Sequence, residues 1–133
     1  MNRVKYSIML IIYICLVSSC KINRYKDGRK VGRWVTNATV DGICYKSVES
    51  YRLGIEKGTW KSFINKRLVF KEKYKKDTCY RTNYYSNGQI SSQGKTTIDR
   101  DVASLHWYYI GDWKNFDESG KLKSIERFTK RTK

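Results

Sequence analysis

Gly58-Thr59-Trp60-Lys61-Ser62-Phe63 and Gly111-Asp112-Trp113-Lys114-Asn115-Phe116 are two copies of one hexapeptide: Gly, any residue, Trp, Lys, a small polar residue, Phe. A third head, Gly32-Arg33-Trp34, stands upstream. The tryptophans at 34, 60 and 113 are separated by 26 and 53 residues, and 53 is close to twice 26, so a degenerate copy is expected near residue 86. Tyr84-Tyr85-Ser86-Asn87-Gly88-Gln89-Ile90 occupies that place. A turn and a short apolar step follow the heads at Asn65-Lys66-Arg67-Leu68, Asn87-Gly88-Gln89-Ile90 and Ser119-Gly120-Lys121-Leu122. A trailing aromatic closes the unit at Phe70 or Tyr74, and again at Phe128.

Units of about 26 residues, each a strand, a tight turn and a second strand, account for nearly all of the chain beyond its first segment. The expected fold is all-β, a single domain of successive antiparallel hairpins over residues 31–129, with a basic tail at 130–133. Asn87-Gly88 is the strongest hairpin signal and predicts a type I′ turn; Asp27-Gly28 and Ser119-Gly120 are weaker ones. Leu68-Val69-Phe70 and Leu105-His106-Trp107-Tyr108-Tyr109-Ile110 carry the apolar and aromatic residues of strands. Phe70 to Lys76 has some helix-forming composition, but its length argues against a helix. One hairpin buries too little to stand alone, whereas stacked hairpins share contacts, so the tryptophans read as core positions. Trp60 and Phe63 lie three apart and should point to opposite faces, which requires either a bulge or cover on both faces.

This pattern resembles the MORN-like repeat variant of bacterial secreted or lipid-anchored proteins and of an antitoxin-like family. Its unit is Gly-x-Trp, an aromatic, Asn-Gly-Lys-Leu and a trailing aromatic. Gly111 to Phe128 matches well, Gly58 to Tyr74 and Tyr84 to Lys95 less so, and Trp34 to Tyr51 departs most, with Asp41-Gly42-Ile43 as its one plausible turn. The resemblance implies an elongated sheet of hairpins, typically non-enzymatic.

The first twenty residues read differently. Arg3 and Lys5 precede a mostly apolar stretch from Tyr6 to Val17, too short for the roughly 20 residues of a spanning helix. This is the layout of a signal peptide over residues 1–19. Val17-Ser18-Ser19-Cys20 resembles the bacterial lipobox, whose cysteine receives a diacylglyceryl group before cleavage. The resemblance implies lipid attachment at Cys20, a tether over residues 20–30 and a periplasm-facing envelope lipoprotein. The alternative is an ordinary export signal cleaved after Ser19. Loss of Arg3 and Lys5 with the leader lowers the formal charge from +16 to +14, still far from neutral. Outside the cytoplasm such a charge points to anionic lipid, acidic glycan or another envelope protein, with nucleic acid a distant third. Abundant Lys, Asn, Ile and Tyr with no Pro also fit AT-rich coding, which would make part of the basicity solvated surface.

Candidate contacts follow from the same reading. Lys71, Lys73, Lys75 and Lys76, with Lys121, Lys123, Arg127, Lys130, Arg131 and Lys133, could form a stripe facing anionic lipid. Trp107, Tyr108 and Tyr109 could stack on sugar rings, or form a buried strand. Cys44 and Cys79 remain for a disulfide worth roughly 4 kcal/mol, or are two separate small hydrophobes. His106 is the sole histidine, and Ser104-x-His106 lacks an acid partner. Asp99 with Asp101, and Asp117 with Glu118, flank turns. No metal set, phosphate loop or cofactor is expected. The chain reads as a non-catalytic binding or structural module at the envelope. The competing functions are an immunity or antitoxin-like protein that caps another protein, and a hydrolase of envelope polymers.

Overall fold

The computed structural model describes residues 21–99 and 106–129. The leader 1–19, Cys20, Asp101, Ser104 and the tail 130–133 lie outside the described residues. The strands are β1 (Arg24–Lys26), β2 (Arg29–Val40), β3 (Ile43–Arg52), β4 (Ile55–Glu56) and β5 (Gly58–Ile64), followed by β6 (Arg67–Lys75), β7 (Thr78–Tyr84), β8 (Ile90–Asp99), β9 (His106–Phe116) and β10 (Leu122–Phe128). They form one sheet whose neighbours follow chain order, with β4 a short branch on β3. Every pairing is antiparallel, so the all-β succession of hairpins expected from the sequence is the observed fold. Among the described residues there is no helix, and Phe70 to Lys75 belongs to β6.

Turn chemistry sets the register. Asp27-Gly28 (φ 50° and 69°), Asp41-Gly42 (49° and 75°) and Asn65-Lys66 (48° and 68°) are two-residue loops with both residues left-handed, as in a type I′ turn. Asn87-Gly88 departs from the expected type I′ form. Only Gly88 is left-handed (φ 86°); its N–H donates to the Tyr85 carbonyl at 3.0 Å, and the Tyr85 N–H donates to the Gln89 carbonyl at 2.8 Å. This is a type I turn closed by a left-handed glycine. Asn87 stays out of the left-handed region because its side-chain oxygen accepts the Gln89 N–H at 3.0 Å. The loop from Asp117 to Lys121 repeats the geometry, with Gly120 at φ 86°.

Part of the segment expected as a tether, residues 20–30, belongs to the sheet. Residues 24–30 are already in the sheet, because Asp27-Gly28 turns the chain and Tyr25 packs edge-on against Trp34 with ring centroids 4.9 Å apart. Just before β1, the Asn23 side chain behaves as a strand residue: its oxygen accepts the Val35 N–H at 2.7 Å and its nitrogen donates to the Val35 carbonyl at 2.9 Å.

A cross-strand rule underlies the repeats. Glycine faces an aromatic in three hairpins (Gly32 opposite Tyr51, Gly58 opposite Tyr74, Gly111 opposite Phe128), and tryptophan faces glutamate two residues on (Trp34 with Glu49, Trp60 with Glu72, Trp113 with Glu126). The degenerate β7–β8 hairpin has Arg81 opposite Gly94 instead. Residues directly opposite one another share a face, so these groups line one side of the sheet. There Tyr25, Trp34, Tyr51, Trp60 and Tyr74 form a continuous ladder with centroid separations of 4.7 to 6.3 Å. Such ring pairs contribute about 0.5–1.5 kcal/mol each beyond the area they bury. Trp107, on β9, touches Tyr74 of β6 at 5.6 Å, so its ring crosses the two intervening strands, and Cys79 of β7 is left 1% exposed.

The ladder contributes Trp34 to the buried core, and the rest of that core lies beyond it. Trp34, Cys79, Ile98 and Trp113 are the buried apolar residues among those described. Trp60 Nε1 donates to the Ser50 carbonyl and Trp113 Nε1 to the Lys95 carbonyl, each at 2.9 Å. Trp34 Nε1 finds no acceptor among the described residues, since the strand before it, β1, stops short of its position. The Trp60 and Phe63 question resolves both ways: Phe63 takes the face opposite Trp60, and the β5–β6 register shifts between Ser62 and Phe63.

A methyl group on Gly94 would overlap the indole of Trp113. Gly94→Ala is therefore expected to destabilise the fold by about 3 kcal/mol, measured by denaturant unfolding. In a Trp113→Val background the same change should have much less effect; an unchanged penalty there would show that the overlap is not the cause.

Candidate functional site

The second face of the sheet is cationic. Strand pairing carries one row through Val48, Lys61, Lys71, Thr82, Gln93 and Lys114, and a neighbouring row through Thr59, Lys73, Tyr80 and Lys95. Lys75 follows Lys73 by two residues on β6 and shares its face. Tyr80, 41% exposed, sits between Lys75 and Lys95, whose ammonium groups lie 5.7 and 5.5 Å from its ring centroid. Lys61 and Lys71 are directly opposite one another, a placement that costs stability unless an anion offsets it.

Carboxylates are segregated from these lysines. Glu49, Glu72 and Glu126 lie on the aromatic face, each opposite its tryptophan. Glu72 accepts from the Tyr74 hydroxyl at 2.9 Å and from Arg81 at 2.8 Å, and the Arg81 guanidinium lies 4.0 Å from the Phe70 ring centroid. On the lysine face Asp112 is taken by Arg127 at 2.7 and 3.2 Å, and the hydrogen bond from that guanidinium holds its carboxyl below the usual range. Asp117 caps its turn, accepting from Ser119 Oγ at 2.6 Å and from the Lys121 N–H at 2.9 Å.

The sequence candidates separate on this sheet. Lys71, Lys73 and Lys75 project together, whereas Lys76 occupies the β6–β7 turn at φ 53°. Lys46, Lys61, Lys95 and Lys114 join them, though no local run marks these four. Trp107, Tyr108 and Tyr109 form no single platform. Trp107 is engaged with Tyr74, Tyr109 packs at 4.4 Å on Trp113 and 5.2 Å on Phe128, and alternation assigns Tyr108 to the other face. The Cys44–Cys79 disulfide is not formed. Both thiols are free, Cys44 on β3 and Cys79 on β7, with β5 and β6 between them. Three interstrand steps of about 4.8 Å exceed the reach of a disulfide. Cys79 instead fills a small position in the ladder, where burial first, and Glu72 second, push its thiol up to about 11.

Comparison of the chain with protein-family models, with characterised proteins and with solved structures finds no match in any of the three.

Two measurements follow from these side chains. Under native conditions a maleimide should label Cys44 and spare Cys79, and unfolding should expose both; native labelling of Cys79 would contradict the ladder packing. Burial, then the Glu72 carboxylate, raises Tyr74 well above its ordinary value of 10.0. As pH rises through that value the unfolded chain releases the phenol proton while the folded chain keeps it, so stability present below about pH 10 declines above it. Thermal unfolding should fall more steeply with alkaline pH in the parent than in Tyr74→Phe, a comparison in which lysine titration is common to both.

Proposed function

We propose that this chain is an envelope lipoprotein, anchored through acylated Cys20, whose sheet is a non-catalytic module that lies with its lysine face against an anionic partner, first of all an anionic membrane surface. The observation that carries this reading is the sorting of charge. Lys61, Lys71, Lys73, Lys75 and Lys95 come from three strands, β5, β6 and β8, to one face, while the strand glutamates Glu49, Glu72 and Glu126 are placed on the other. The basic residues on the aromatic face are engaged there, Lys30 over the Trp34 and Tyr51 rings and Arg81 by Glu72.

The energetics support the same arrangement. Each Lys near an anionic surface contributes about 1 kcal/mol, so five would hold a tethered domain against a bilayer. With β1 beginning at Arg24, the tether from Cys20 is only a few residues, and the effective concentration of lipid at the sheet is correspondingly high. Tyr80 supplies an amphipathic ring between two ammonium groups, a group suited to the polar–apolar boundary. The hairpin repeat and its resemblance to the MORN-like variant agree with a scaffold that presents a broad binding face.

Metabolic labelling with a fatty-acid analogue should mark the wild type and not Cys20→Ala; an unlabelled, soluble wild type overturns the anchor. In the Cys20→Ala background, replacing Lys71, Lys73, Lys75 and Lys95 with Gln should weaken co-sedimentation with phosphatidylglycerol vesicles by about tenfold or more. Unchanged sedimentation would remove the lysine face from the account.

A further inference from the structure

The lysine face is not uniform. Across β2, β3 and β5 it dips into an open trough of about 950 Å³, at the upper end of the range typical of small-molecule sites. Val48 and Phe63 supply apolar surface, and Arg33, Lys46, Lys61 and Lys66 supply four cations. Pairing explains the juxtaposition: Lys46 is opposite Phe63 and Val48 is opposite Lys61, so each cation stands diagonally across from the other and beside an apolar side chain. None of the four cations is in an ion pair among the described residues. The smaller hollow on the aromatic face contrasts with this, since its Glu72 and Arg81 neutralise each other.

Unpaired cations beside half-buried apolar side chains select a ligand with both characters. A bare phosphate would leave Val48 and Phe63 in water, and a neutral chain would leave Lys46 and Lys61 uncompensated. We infer that the trough binds a single-chain amphiphile with an anionic phosphate head, with Lys46 and Lys61 pairing with the head and Val48 and Phe63 contacting the chain. Because β2, β3 and β5 span about 10 Å, the trough fits one chain lying across the strands and not a bilayer patch. This inference rests on the reading of the lysine face as anion-seeking, and it adds a discrete site to that surface.

Cys44 lines the trough and is an exposed free thiol, so it reports occupancy. The experiment uses the full-length chain with Cys15→Ser and Cys20→Ser, follows maleimide labelling of Cys44, and adds dodecyl phosphate below its micelle concentration. At about ten times its dissociation constant the ligand should slow labelling about tenfold. Inorganic phosphate and dodecyl maltoside should not slow it. Lys46→Gln with Lys61→Gln should abolish the protection, while Lys73→Gln with Lys75→Gln and Lys95→Gln should weaken vesicle binding and leave the protection intact. Equal protection by dodecyl maltoside would show a merely apolar groove, and equal protection by inorganic phosphate a simple anion site; either overturns the inference. Absence of protection by dodecyl phosphate, with vesicle binding retained, would overturn the trough and spare the lysine face. Far-UV circular dichroism of each variant checks that the sheet is intact.

Discussion

Glycine opposite an aromatic, and tryptophan opposite glutamate two residues further on, is the constraint from which the rest of this sheet follows. A single-layer sheet has no second layer to bury its side chains against, so it must build its core on its own surface. Glycine makes room for the facing ring, the ring reaches the next tryptophan, and the ladder from Tyr25 to Tyr74 runs across five strands. Glutamates belong to the ladder because tyrosine hydroxyls need acceptors: Tyr51 donates to Glu49 at 2.8 Å and Tyr74 to Glu72 at 2.9 Å. Where the rule lapses, in the β7–β8 hairpin, the gap is filled from outside it, by Trp107 reaching over Cys79 and Trp113 lying on Gly94.

Sorting of charge is a consequence of the same register. Since side chains alternate, a lysine beside each ladder tryptophan must appear on the reverse face, as Lys61 and Lys114 do. Lys71 and Lys73 flank Glu72 and take the reverse face for the same reason. The glutamates thus stay with the rings that hydrogen-bond to them, and the lysines collect on the reverse face, where the nearby carboxylate of Asp112 is held by Arg127. One face is satisfied internally and the other is left to be satisfied by something else. That division separates the structural side of the sheet from the side available for recognition.

Hairpins were legible because their signals are local: Asp27-Gly28, Asp41-Gly42 and Asn65-Lys66 each carry their turn within two residues. The lysine stripe was legible only within β6, where Lys71, Lys73 and Lys75 alternate. Lys61 and Lys95 join it through pairings that loop lengths and bulges set, and no short window contains those. The tryptophan–glutamate rule was hidden because Trp34 to Glu49, Trp60 to Glu72 and Trp113 to Glu126 span 15, 12 and 13 residues. The expected disulfide failed because compartment and cysteine count say nothing of strand order. At Asn87 the turn followed the residue's side-chain hydrogen bond rather than its tolerance of positive φ.

Asn23 has a consequence for how the sheet stops. An outermost strand offers bare amides and carbonyls to any passing chain, and a meander of similar hairpins is especially open to templated growth. At the β2 end the Val35 backbone is already occupied, donor and acceptor together, by one side-chain amide. A primary amide has the same hydrogen-bonding pattern as a peptide group but no chain continuing beyond it. The row of hydrogen bonds on that stretch of β2, beyond the reach of β1, therefore meets at Val35 a group that cannot propagate it, a molecular full stop on one part of the sheet's first edge.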